Sequence, residues 1–158
     1  MIIGVIKVAK HDILDIANWF LVKERMSHKK LQKLCYYAVA WGYALLKRPI
    51  CHNDEFQAWA HGPVSPVLVE KYKGNAWAEL SHDDDYKCSL DNVTLDLLES
   101  VWITYGHHTG NSIAALTHTE LPWLNARMGL SGDEPSATRL EPDDMQKFYQ
   151  SIYTGGEA

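Results

Sequence analysis

The sequence predicts an α-dominated α+β fold: a single compact helical domain (1–158) around a buried central helix at about 27–48, with a small β-sheet or hairpin. Three stretches predict it. Ser27 to Arg48, SHKKLQKLCYYAVAWGYALLKR, places Leu31, Leu34, Cys35, Ala38, Gly42 and Leu45 at helical spacing. Tyr36, Tyr37, Val39, Trp41 and Tyr43 fill much of the remaining circumference, and a helix apolar on nearly every side must be buried on nearly every side. Glu55 to His61 alternates Phe56, Ala58 and Ala60 against Gln57, Trp59 and His61, the period of a strand. Met145, Phe148, Tyr149 and Ile152 then mark one face of a last helix led by Pro142, Asp143 and Asp144.

Ser27 caps the first turn of the central helix, and Lys47, Arg48 and Pro49 close it. Lys29, Lys30 and Lys33 crowd the opening turn, where positive charge opposes the helix dipole. They read as solvated residues framing a core helix, although their unfavourable placement hints at a role other than packing. Upstream, Ile2 to Ala9 is rich in β-branched residues and predicts a short strand or clamp. Asp12 caps a helix through about Glu24 that buries Ile13, Ile16, Ala17, Phe20 and Leu21.

Downstream of the alternating stretch, Gly62-Pro63-Val64-Ser65-Pro66 forms a stiff corner. Its prolines fix their own φ angles and push the preceding residues out of the helical region. Ser65 and Pro66 match the cap and first position of a helix over Pro66 to Lys73, ended by Gly74. Asp83-Asp84-Asp85 marks an exposed loop beside a short strand at Tyr86 to Ser89. A helix over Leu90 to Tyr105 follows, with Val93, Leu97, Val101 and Tyr105 on one row. Ser112 caps a short helix through Leu116, Pro122 opens another to Arg127, and a polar loop leads to the last helix.

Composition restricts the function classes. With 46% hydrophobic and 22% charged residues in 158, the chain reads as globular, and its net charge of -5 makes no broad electrostatic case for nucleic acid. No run approaches the roughly 20 apolar residues of a membrane span. Cys35, Cys51 and Cys88 are odd in number and far apart, which suits a reducing cytoplasm. The phosphate-loop, dinucleotide, zinc-protease and hydrolase signatures are absent, and the eight histidines show no recognised ligand spacing, so neither cofactor nor metal is expected. His61, His118 and Glu120 are the most interesting enzymatic set, a histidine shuttling protons with a carboxylate to orient it. The same residues serve equally well to fix two tight turns. Tyr37, Trp41, Trp59 and Trp123 are the candidates for exposed partner anchors, although for each taken alone burial in the core is the favoured reading.

Three motifs carry a family resemblance. Lys30-Leu31-Gln32-Lys33-Leu34-Cys35-Tyr36-Tyr37-Ala38 resembles the KLQKLLYYA motif of the Panacea antitoxin domain, the SocA-like family that includes phage-associated GepA proteins. Ala58 to Pro66 resembles its AWxxGPVxP motif, and Leu116-Thr117-His118-Thr119-Glu120-Leu121-Pro122-Trp123 its LTHxExPW motif. Val69 stands where the family often has tyrosine, and Arg139-Leu140-Glu141 replaces a Pro-Ile-Ser-like lead into the last helix. The resemblance implies a non-enzymatic, cytoplasmic antitoxin of a bacterial or prophage pair. Such a protein binds a cognate protein toxin and neutralises it by occupation, or acts as an adaptor that presents it to a ClpXP-type protease. A hydrolase-like enzyme using His61, His118 and Glu120 is the alternative, and a phage structural or host-takeover module is a third class. Within the motifs, Leu31, Leu34, Tyr36, Gly62, Pro63, Pro66, Thr117, His118, Pro122 and Trp123 are expected to be structural. Lys29, Lys33, Tyr37, Trp59, His61 and Glu120 are the residues expected to engage the partner.

Overall fold

A computed structural model describes residues 9–75 and 78–155. The expected strand over Ile2–Ala9 lies outside them, apart from Ala9. Among the described residues are seven helices and one two-stranded antiparallel sheet: α1 (Ile13–Lys23), α2 (His28–Leu45), β1 (Gln57–Trp59), β2 (Gly62–Val64), α3 (Pro66–Tyr72), α4 (Asn92–Tyr105), α5 (Gly110–Thr117), α6 (Leu121–Ala126) and α7 (Pro142–Gly155). The α-dominated α+β class is as the sequence predicts.

Helix α2 is the axis. Every residue from Lys30 to Ala40 is buried, and the helix packs against α7, α5, α4, α1 and β2. Ser27 accepts the Lys30 amide as cap, while Lys47 takes a left-handed φ of 57° just past the other end, a position that usually falls to glycine or asparagine. Leu45, expected in the core, is exposed: it lies on the outer side of the last turn of α2, at the mouth of a cleft with Trp41, Leu97 and Tyr153, while Gly42 and Ala44 of that turn are buried. Helix α1 begins on Asp12, whose carboxylate and that of Asp15 bond each other's backbone in a reciprocal capping box.

The alternating stretch pairs over only three residues. Gln57 faces Val64, Ala58 faces Pro63 and Trp59 faces Gly62, so the Gly-Pro-Val segment is the second strand of a hairpin rather than only a corner. The free edge of β1 is covered by the chain returning at 138–140: the Ala58 amide donates to the Thr138 carbonyl at 2.7 Å, and the Leu140 amide to the Phe56 carbonyl at 2.8 Å. Covering an edge in this way removes its unpaired backbone groups from other chains. Gly62 has a φ of 112°, and a Cβ there would come within 2.7 Å of Lys33 Cε. Only glycine allows the turn to sit this close to α2.

The link between α2 and the hairpin is Gln32. Its Oε1 accepts the Ser65 amide at 2.7 Å and its Nε2 donates to the Ser65 carbonyl at 3.3 Å, so the side chain mimics a neighbouring strand in a buried setting. Ser65 in turn caps α3.

Three expectations are corrected. No strand forms at Tyr86–Ser89; instead Leu80 pairs with Met26 in an isolated antiparallel bridge. Val93 is half exposed, because α4 starts at Asn92 under an Asp91 cap and its inward row is Thr94, Leu97, Leu98, Val101 and Tyr105. Thr109, not Ser112, caps α5, with Ser112 three residues inside as the reciprocal partner of a capping box.

Replacing Gln32 with alanine strands a buried amide and carbonyl at Ser65. A loss of about 1–3 kcal/mol is expected, read as a lower urea midpoint at unchanged slope.

Candidate functional site

The three motifs meet along one face of α2. Lys29, Lys33 and Tyr37 are spaced four apart and therefore stack on a single side of that helix. Lys33 and Tyr37 meet residues of the second and third motifs, and Lys29 meets α5 just upstream of the third. Lys29 Nζ donates to Asn111 Oδ1 of α5 at 2.8 Å. Lys33 runs beneath Gly62 and beside Thr117. Tyr37 donates its hydroxyl to Glu120 Oε1 at 2.7 Å.

Glu120 stands at the cap position of α6 yet makes no side-chain cap bond. Its carboxylate points inward, and the same Oε1 accepts the Tyr149 hydroxyl of α7 at 2.8 Å. Because Tyr149 donates there, Tyr36 must donate to Tyr149 across the 3.0 Å contact between their hydroxyls. Four buried side chains from α2, α7 and the start of α6 thus share one network. Burial raises the Glu120 carboxyl above its ordinary range, and the two donated hydroxyls pull it partly back. Burial raises the phenols too, Tyr37 with a further push from the Glu120 charge. Tyr37 also stacks on Tyr105 at 3.9 Å between ring centres, and Trp41 donates its indole N–H to the Tyr105 hydroxyl at 2.9 Å.

The lysine cluster departs from the expected solvated frame. Lys30 is buried and donates to the Gly106 carbonyl at 2.7 Å, placing its charge at the C-terminal end of α4, where the dipole favours it. Lys33 is 1% exposed, and burial followed by repulsion from Lys29 lowers its amine to about 7. The opening charges of α2 serve the neighbours of that helix rather than its own first turn.

The hairpin turn is held from beneath by the third motif. Trp123 donates its indole N–H to the Trp59 carbonyl at 2.9 Å. Arg127 is buried and gives one guanidinium nitrogen to the Ala58 carbonyl at 2.8 Å and another to the Ser131 and Glu134 carbonyls at 2.8 and 2.6 Å. The ring of His118 stacks on Trp123 at 4.3 Å, and burial, then Lys33, lowers its basicity. Trp59 and His61 remain at the surface. Together with Ala60 they form one wall of a groove of about 510 Å³, whose other wall is Asp133, Pro135, Ser136 and Ala137.

Burial removes Lys33, Tyr37 and Glu120 from the surface that a rigid partner meets; Trp59 and His61 are exposed and Lys29 is half-buried. Glu120 is bonded to two phenols and to neither histidine, so the His61, His118 and Glu120 set does not assemble into a hydrogen-bonded relay. Cys35 and Cys51 are buried free thiols, and burial pushes both up, which makes poor nucleophiles of them. Among the described residues no group of histidine, cysteine, aspartate or glutamate side chains is placed to hold a metal ion. Gln32 and Arg127 are the position-setting residues that sequence spacing did not single out. The signal available for Arg127 was only its place one turn after Trp123.

Glu120→Gln tests the network. Glu120 has a folded pKa above its ordinary 4.5, so the folded protein holds this proton more tightly than the unfolded chain does. Its contribution to stability is fully present below about pH 4.5 and declines as pH rises through the raised value. The glutamine variant lacks that decline. Stability curves of the two proteins are expected to diverge in favour of the variant as pH climbs from 4 towards neutrality. Glu120→Ala strands two hydroxyls and is expected to cost about 2–4 kcal/mol in urea unfolding at any pH.

The family model described as "Antitoxin SocA-like, Panacea domain" matches residues 31–124, more than half of the chain, taking in the second and third motifs and the first from Leu31 onward. No curated protein matches, and no solved structure matches. The matched span begins at Leu31 of α2 and ends at Leu124 of α6, and it contains Lys33, the Gly62 turn and the buried carboxylate of Glu120. The chain belongs to the SocA-like antitoxin family of Panacea domains.

Proposed function

We propose that this protein is the antitoxin of a bacterial or prophage toxin–antitoxin pair, acting in the cytoplasm as one domain that binds a protein toxin directly. The family membership carries the proposal. The geometry supports it in two ways. Helix α2, the hairpin, the start of α6 and α7 are joined by buried polar bonds, which gives a rigid platform of the kind that keeps binding side chains in place. Around that platform, Trp59 and His61 of the second motif stay exposed at a groove, where an aromatic anchor and a polar rim are the features of a binding hot spot. Among the described residues no helix is long and apolar enough to cross a membrane.

Neutralisation by occupation and delivery to a ClpXP-type protease both begin with this contact. They differ in the fate of the toxin: occupation leaves its cellular half-life unchanged, and delivery shortens it.

The test pairs the chain with the product of its neighbouring open reading frame. Co-expression is expected to restore growth to cells expressing that product. In the double variant Trp59→Ala and His61→Ala, changes confined to the surface should leave the melting temperature within a few degrees of the wild type. Loss of an exposed aromatic anchor should weaken toxin binding by about 30-fold or more and abolish rescue. Full rescue by this variant would move the contact away from the groove.

A further inference from the structure

Residues 138–140 cover the open side of β1 and thereby become the outer edge themselves. The Thr138 carbonyl and the Leu140 amide both face β1, where they bond Ala58 and Phe56. In a trans peptide the N–H and C=O point opposite ways, so the Arg139 amide and carbonyl, the other halves of those two peptides, face away from the sheet. The bridge pairing of Gln57 with Arg139 agrees, because two opposed residues without mutual bonds each turn their polar backbone outward. Arg139 is exposed, and among the described residues its main-chain groups have no partner. Ala137, one ladder step away, is likewise exposed and makes no main-chain bond. The edge is bounded on both sides: Pro135 has no N–H to give, and the Glu141 carbonyl is taken by the Met145 amide of α7.

Charge narrows what can lie there. Between 133 and 144 the one basic side chain is Arg139, which reaches toward Asp54 at 3.8 Å, while Asp133, Glu134, Glu141, Asp143 and Asp144 are acidic. A second copy pairing antiparallel would bring Asp133 and Glu134 up to the other acidic end of its mate, and pairing parallel would set each acid beside itself. Like charges opposed across a ladder are destabilising. A strand carrying lysine or arginine meets no such obstacle.

We propose that the edge at 137–139 is a site of strand addition, at which an extended, basic segment of the bound protein pairs with the main chain of Arg139. This rests on the reading of the chain as a toxin-binding protein and specifies the form in which the toxin is held. Ala137 also lines the groove beside Trp59 and His61, so one polypeptide can pair along the edge and fill the groove. Main-chain bonds supply affinity that is indifferent to the sequence of the partner, and the acidic flanks select its charge.

The experiment is amide hydrogen exchange by NMR on the full labelled chain, alone and with the product of the neighbouring open reading frame as the probe. In the free chain the Arg139 amide is expected to exchange within about tenfold of an unstructured amide, and in the complex to slow by at least about 100-fold. Arg139→Pro removes the outward donor and no bond within the chain, and is expected to lose at least about tenfold more affinity for that product than Arg139→Ala does. Glu134→Lys is expected to weaken binding about fivefold or more. Protection of the Arg139 amide in the free chain would mean that residues 1–8 or a second copy already pair there, and overturns the proposal. So does an amide that stays fast in the complex, or equal losses in the two Arg139 variants; rescue of growth by the wild type then leaves the antitoxin reading standing. If Arg139→Pro does not fold, the exchange result decides. Undiminished binding by Glu134→Lys refutes the basic strand. A product that the wild type neither binds nor neutralises refutes the antitoxin reading and this one with it.

Discussion

The carboxylate of Glu120 is the point on which the rest of the structure turns. It is the residue at which α6 begins, and by bonding Tyr37 and Tyr149 it joins that beginning to the central helix and to the last one. Two phenols and one carboxylate in an apolar surrounding are stable only when every hydroxyl has somewhere to donate, and here each does, Tyr36 included. A network of that kind fixes one arrangement of three helices more tightly than apolar packing alone, because a shift of about an ångström leaves a buried group unpaired. The position of α6 then determines that of Trp123 and Arg127, and these hold the hairpin by its backbone.

The same logic explains why the motifs contain the residue types they do. Gln32 stands in for a strand, Gly62 allows an approach no side chain permits, and Lys30 supplies a positive charge and a donor to the last carbonyl of a neighbouring helix. Each is a polar or backbone solution to a local problem created by burying α2 on all sides.

Much of the architecture was legible in advance, and the reasons are physical. The aromatic circumference of α2 has no stable home except a core, and of the row Met145, Phe148, Tyr149 and Ile152 the first three pack inward as the spacing predicts, while Ile152, in the last turn, is half exposed. Strand boundaries were less legible. Pairing depends on which chain covers the edge, and the cover arrives from residue 138, some eighty positions after the hairpin begins. The site was readable as a set of motifs and not as a surface: sequence shows that Tyr37 and Glu120 belong together only through spacing within each motif, whereas their mutual bond is a long-range fact. The lysines misled for a related reason. A charge at the wrong end of its own helix looks solvated until the end of a neighbouring helix is placed beside it.

Arg127 has a consequence for how the groove can diverge. One guanidinium ties the carbonyl of Ala58 on the hairpin side to those of Ser131 and Glu134 at the foot of the facing loop. Because all three attachments are to main-chain oxygens, the separation of the two walls is indifferent to the side chains mounted on them. Substitutions at Asp133, Ser136 or Ala137 can retool what the cleft admits while its width stays constant, an arrangement suited to exchanging one ligand for another without refolding the scaffold.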